Sequence, residues 1–234
     1  MPSDIRPCPS VPPRYADATL TGYRTMTGEQ KSAQAAAVAM LASLAAGERA
    51  SLVLLGTPGV GKSHLAAAVC HVEADRLLGL HEAEVDAATD AYQAAMDRRS
   101  DAGGGTWNDR PRLRRVPSPD LPQWVNVPSL LVDVKAEFGA EEQHRTGFAR
   151  SLRTRTGLVV LDDLGRERIS EWTGELVYVI VNDRYEAGLP TIATSNLTVE
   201  ELVSAGYWPA ISRLAQDGRL VEVKGHDQRL RRAS

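Results

Sequence analysis

Gly56, Gly61, Lys62 and Ser63 stand in the segment GTPGVGKS at the spacing G-x-x-x-x-G-K-[ST], and this is where the chain's chemistry is most concentrated. Glycines at these places let backbone N–H groups turn inward around phosphate oxygens, and a helix that starts at the lysine adds its positive end. Lys62 then supplies charge to β and γ oxygens, and the Ser63 hydroxyl serves Mg²⁺. Contacts to a nucleotide fall on Gly56, Thr57, Pro58, Gly59, Val60, Gly61, Lys62, Ser63 and His64. The competing reading is an ordinary glycine turn ahead of a helix. The apolar run SLVLLG before the loop and the helix formers after Lys62 supply the strand and helix that phosphate binding needs.

About a hundred residues further on, GLVVLDD buries four apolar residues in a strand and ends on Asp162 and Asp163, at the strand end where α/β sheets hold ligands. Asp162 is expected in the Mg²⁺ shell with Ser63, and Asp163 is expected to orient the water that attacks a γ-phosphate. Alone, the two aspartates would read as turn residues; the upstream loop reverses that. A third apolar strand, PTIATSN, ends in Thr194, Ser195 and Asn196. Asn196 fits either a γ-phosphate contact or an N-cap for the helix TVEEL, a place Thr198 fills equally well.

Positioning these groups takes a scaffold, and the pattern supplies one. Apolar strands alternate with helical stretches at 27–46, 62–78, 128–138, 141–153, 171–187 and 211–215, with further strands at WVNV, RLVEV and near 228–231. That alternation predicts an α/β fold, a parallel sheet with helices on both faces. In the helix at 27–46, Val38, Leu41 and Leu44 fall at helical spacing. The chain has 234 residues, 43% of them apolar, enough for a sizeable core, and its net charge of −3 gives no global pull toward polyanions. Cys8 and Cys70 are the only cysteines, too few for a disulfide framework or a paired-CxxC zinc module. The N-terminus shows no apolar leader and no stretch is long enough to span a membrane, so a cytoplasmic chain is expected.

Residues 1–14 contain five prolines and are expected as a disordered lead, with order beginning near Tyr15 and one domain running over 15–234. Residues 80–123 are too long for an ordinary connection and read as an insertion, part helical and part disordered. Its first half places Val85, Ala88, Tyr92, Ala95 and Met96 on one face. Its second half gathers Arg98, Arg99, Arg110, Arg112, Arg114 and Arg115 around Trp107, which suits single-stranded nucleic acid or, more simply, a solvated loop. His64 and His71 read as helix-face residues rather than metal ligands, Cys70 as core, and Cys8 as an exposed thiol.

The stretch from Asp162 through Arg213, with LDDLGRERISEWTGELVYVIVNDRYEAGLPTIATSNLTVEEL followed by ISRL and VEVKGHDQRL, resembles the DnaC/DnaI-type helicase-loader group of AAA+ ATPases. PPRYADATL ahead of the loop is similar to the same group. The resemblance implies the AAA+ P-loop NTPase sheet, ATP and Mg²⁺ as ligands, and a homo-oligomer with ATP between protomers. It also implies weak, assembly-stimulated ATP hydrolysis and a role in placing the replicative DNA helicase on single-stranded DNA. By the same matching, Arg213 in ISRL is an arginine finger and Asn196 the first sensor. Asp163 stands where AAA+ proteins commonly have Glu, which suggests slow turnover. The alternatives are an IstB-type transposition helper ATPase acting on duplex DNA, and an ATP-dependent adaptor that does not hydrolyse.

Overall fold

The computed structural model describes residues 5–101, 110–137, 147–166, 171–216 and 218–228. Five strands form one wholly parallel sheet: β1 (Ser51–Leu55), β2 (Gln123–Asn126), β3 (Val159–Leu164), β4 (Thr191–Ser195) and β5 (Arg219–Glu222), in the order β2-β3-β4-β1-β5. The period of two along each strand sorts its side chains. Leu52 and Leu54 of β1, Val160 of β3 and Ile192 of β4 join one core; Val53, Leu55, Val159, Leu161 and Ala193 join the other. The first core is covered by α1 (Gly28–Ala46) and the start of α2 (Lys62–Asp101). The second is covered by α3 (Val127–Glu137), α4 (Phe148–Thr154), α5 (Glu171–Glu186), α6 (Val199–Ser204) and α7 (Trp208–Gln216). Both faces are dry, as continuous apolar strands require.

Helix α1 starts on a capping box, in which Thr27 Oγ1 accepts from the Gln30 amide and the Gln30 side chain accepts from the Thr27 amide, and it ends at Gly47 with φ of 69°. Its buried stripe is Ala33, Ala36, Ala37, Met40 and Leu44, whereas Val38 faces solvent. Small alanines let α1 approach α2 closely.

Two expectations are corrected. Residues 5–14 are not a loose lead: Cys8 is 3% and Val11 8% exposed. The Cys8 amide donates to His71 Nδ1 at 2.9 Å, and Arg6 reaches Asp75 at 2.8 Å and also Glu82. Ser10 Oγ donates to the Pro122 carbonyl at 2.8 Å and accepts from the Trp124 amide at 3.0 Å. Prolines exclude helix and ladder, but an extended strap with so few free N–H groups satisfies them individually against the core. Since His71 Nδ1 accepts, its Nε2 carries the proton and donates to the Tyr15 carbonyl at 2.9 Å. Burial, then Cys8 and Glu73, push the Cys70 thiol well up, which keeps it inert.

The second correction concerns α2, which does not stop near Leu78 but runs on to Asp101. The helical half of the insertion is therefore an extension of the helix that begins at Lys62. Beyond Ala74 this helix leaves the core, and the Arg114–Glu84 pair ties the returning chain back to it at 2.5 Å. The return ends in a firm anchor, where Asp120 pairs with Arg155 at 2.7 Å and accepts from the Gly157 amide at 2.9 Å. The second half of the insertion, expected to be disordered, and the strand expected near 228–231 lie in part outside the described residues. Among the described residues no helix is long and apolar enough to cross a membrane.

Arg184 is fully buried with no carboxylate in hydrogen-bonding contact. Its guanidinium donates to Thr191 Oγ1 and to the carbonyls of Leu152, Arg155, Gly157 and Pro190, at 2.7 to 2.9 Å. Burial pulls its pKa down to about 10. One side chain thus pins α4, the entry to β3 and the entry to β4 to the end of α5.

Candidate active site

The loop from Gly56 to Ser63 joins β1 to α2 at the C-terminal edge of the sheet, with β3 and β4 ending beside it. Gly59 and Gly61 have φ of 82° and 98°, a region closed to most L residues. Space excludes other residues as well: a Cβ on Gly61 would lie 2.5 Å from the Tyr23 ring, and one on Gly59 would lie 2.0 Å from the Asp227 carboxyl group. The loop is therefore gripped from two sides. Tyr23 donates its hydroxyl to the Val60 carbonyl at 3.1 Å, and burial, by raising its pKa to about 12, keeps it a donor. From the other side, the Gln228 amide donates to the Gly59 carbonyl at 3.0 Å.

Lys62 is 5% exposed, and its ammonium donates to the Gly56 carbonyl at 2.6 Å, the Thr57 carbonyl at 3.0 Å and Asn196 Oδ1 at 2.9 Å. Ser63 Oγ donates to Asp162 Oδ1 at 2.8 Å, and so does Thr194 Oγ1 at 2.7 Å. Asp162 is fully buried, and its other oxygen, Oδ2, has no hydrogen-bond partner among the described residues. Desolvation raises the Asp162 pKa; the Thr194 and Ser63 hydroxyls pull it back, and the charge on Asp163 adds to the rise. A buried carboxylate with an orphaned oxygen next to a serine hydroxyl is a donor set that suits a hard cation such as Mg²⁺. Asp163 sits at φ of 61° and receives long contacts from Asn196 Nδ2 at 3.4 Å and Arg166 at 3.2 Å.

The structure thus brings Lys62, Ser63, Asp162, Asp163 and Asn196 together. Thr198 is the N-cap of α6, in a capping box with Glu201, so Asn196 is left to face Lys62. The His64 ring is turned to the Thr19 carbonyl at 2.9 Å. Arg213 is not brought to this group: it lies on α7 with its guanidinium 5.0 Å over the Tyr185 ring, hydrogen-bonded to Tyr178 and Tyr185. Beside the loop, a cavity of about 270 Å³ is lined by Thr57, Asn196, Thr198, Val223 and Lys224, among others.

Tyr23, Thr194 and Asp227 carry no role in the sequence pattern, although Thr194 stands at a polar strand end. A polar residue inside an apolar strand was an available sign for Thr194. Tyr23 and Asp227 meet the loop only through tertiary folding.

A parallel sheet in this order, with helices on both faces and the phosphate-type loop after β1, is the AAA+ P-loop NTPase architecture. No protein-family model matches the chain, and no curated protein matches it. Among solved structures, the chain is similar to the DnaC helicase loader, at 22% identity and a TM-score of 0.60, over 91% of this chain and 100% of that one. It is also similar to DnaI, at 21% identity and a TM-score of 0.60, over 93% of each chain. A replication initiator DnaA bound to AMPPCP and single-stranded DNA matches at 16% identity and a TM-score of 0.56, over 92% of this chain and 51% of that one. At these identities the likeness is one of fold.

Proposed function

We propose that this chain is an ATP-binding, slowly hydrolysing AAA+ switch that loads or remodels the replicative DNA helicase on single-stranded DNA. The observation that carries the nucleotide part is the buried Oδ2 of Asp162, without a partner among the described residues, on a carboxylate bonded to Ser63 of the loop. A half-satisfied buried carboxylate beside a phosphate-type loop is the group a bound cation would satisfy. The replication part rests on the likeness to a helicase loader and to an initiator holding a nucleotide analogue and single-stranded DNA.

In this reading the loop amides and Lys62 hold the β- and γ-phosphates, and Ser63 with Asp162 holds Mg²⁺, which when bound neutralises phosphate charge. Asn196 reports phosphate occupancy through Lys62. Asp163 orients the attacking water. Arg213, engaged with tyrosines on its own chain, serves a neighbour's nucleotide in a homo-oligomer, so a lone protomer turns over slowly.

The test is nucleotide binding and phosphate release by the full chain, alone and with single-stranded DNA, duplex DNA and co-purified replicative helicases. ATP binding with release stimulated by single-stranded DNA or helicase supports the reading. Stimulation by duplex alone moves the chain to the transposition-helper class, and binding without release makes it an adaptor.

A further inference from the structure

We propose that Thr194 is the positioning residue that aims both aspartates of the site, an inference that rests on the function proposed above. In the β3–β4 ladder Leu161 lies opposite Ala193 and Leu164 opposite Ser195, so Asp162 and Asp163 together face the single residue Thr194. This is a bulge, two residues against one, and a bulge takes a backbone amide out of the ladder. The amide displaced here is that of Asp163, and it donates to Thr194 Oγ1 at 3.1 Å. The same hydroxyl passes its own proton to Asp162 Oδ1 at 2.7 Å. Thr194 is 1% exposed, and with the neighbouring Asp162 fully buried, water does not stand in for it.

One hydroxyl therefore fixes two consecutive acids by different handles. It turns the Asp162 carboxylate so that Oδ1 is bonded and Oδ2 remains directed elsewhere. It also holds the backbone of Asp163 in the left-handed region, where a residue with a Cβ is sterically disfavoured. The other contacts of the Asp163 carboxylate are weak restraints: one is 3.4 Å long, and the other comes from Arg166, whose side chain is 70% exposed. The direction of the Asp163 carboxylate is thus set mainly by its backbone, which Thr194 holds at the amide by a bond of 3.1 Å and the Arg166 amide holds at the carbonyl by a longer one of 3.3 Å.

The experiment compares Thr194→Val, which keeps shape and removes the hydroxyl, with Thr194→Ser, which keeps the hydroxyl. The first readout is hydrogen exchange of the Asp163 amide by NMR in the full chain without nucleotide. Exchange is expected to accelerate by about tenfold or more in Thr194→Val and to stay slow in Thr194→Ser. The second is ATP turnover, where Thr194→Val is expected to lose about tenfold or more in kcat with KM changed by no more than about threefold, and Thr194→Ser to retain both. An Asp163 amide equally protected in Thr194→Val overturns the proposal, as does a serine variant as impaired as the valine one. If the wild-type chain releases no phosphate, the function proposed above fails on its own, and the exchange measurement still decides the role of Thr194.

Discussion

Lys62 and Asn196, 134 residues apart in the chain, are joined by a hydrogen bond of 2.9 Å from the ammonium to the side-chain carbonyl. The lysine spends its remaining donors on the carbonyls of Gly56 and Thr57, so it stays buried and paired with no phosphate in place. Under the proposed function, a phosphate takes over donors that Lys62 now gives to these oxygens, so that partners are exchanged and no new charge is buried. Lys62→Ala is expected to abolish nucleotide binding while the chain stays folded, losing about 1–2 kcal/mol from the unpaired loop carbonyls. Calorimetry with a fluorescent nucleotide titration checks both; a folded variant with wild-type affinity removes the loop from the site.

Asp162 is a case of function opposed to stability. Its raised pKa means the folded state holds this proton to higher pH than the unfolded chain does, so the charged form is penalised at neutral pH and the penalty fades as pH falls through the raised value. With Mg²⁺ chelated, Asp162→Asn is expected to melt about 2–5 °C above wild type at neutral pH, the gain shrinking as pH is lowered. The same variant should lose Mg²⁺-dependent binding, whereas Asp163→Asn should mainly slow hydrolysis. A lower melting point for Asp162→Asn at neutral pH contradicts the argument.

The position of Arg213 over Tyr185 makes an assembly test decisive. Arg213→Ala should bind ATP normally and lose its stimulated turnover; fingers of this kind contribute around 10³ to 10⁵ in other P-loop systems, and about tenfold suffices here. Mixing it with Lys62→Ala should restore part of the rate, because one variant keeps the loop and the other donates the arginine. No recovery in demonstrably mixed oligomers makes Arg213 a residue of its own chain only.

For the insertion, the anchor at Asp120 sets the boundary. Replacing residues 84–117 by a flexible linker of about ten residues should leave melting and nucleotide binding unchanged, since none of the described residues in that stretch is buried. Extending the deletion to Pro122 removes the Asp120–Arg155 pair and the carbonyl that Ser10 holds, and should lower the melting point. Equal melting of both deletions disproves the anchor.

Arg184→Ala removes five hydrogen bonds from a dry interior, with only the Pro190 carbonyl keeping a backbone donor among the described residues, the Val159 amide, and should cost roughly 3–5 kcal/mol by denaturant titration. Arg184→Lys should recover only part of this, because an ammonium cannot reproduce the planar fork. A neutral alanine substitution refutes the pin.

The residues proposed to handle phosphate were legible because they sit at fixed short spacings: Gly56 to Ser63 on a tight loop, and Asp162 and Asp163 at a strand end. The parallel sheet followed from apolar runs of the right length alternating with helical stretches. What stayed hidden were pairings without local periodicity. Tyr23 against Gly61, Asp227 against Gly59 and the bonds from Arg184 to the carbonyls of Leu152, Arg155 and Gly157 join segments well separated in sequence. The proline-rich strap misled for a related reason: proline content reports which regular structures are forbidden, not whether Cys8 finds His71. Helix α2 was cut short because its apolar pattern weakens after Ala74, where it leaves the core while helix propensity alone carries it on.

That helix has a mechanical consequence. Its first residue, Lys62, is a phosphate ligand in the proposed site, and its 40 residues run on unbroken to Asp101. At 1.5 Å per residue this is a rod of about 60 Å, of which only the first third is clamped in the core. A tilt of about 5° where the helix leaves the core, at Ala74, swings the far end of the free arm of about 40 Å by roughly 3–4 Å. The protrusion is in effect a lever: any change in the angle at which it leaves the core is enlarged at its free end.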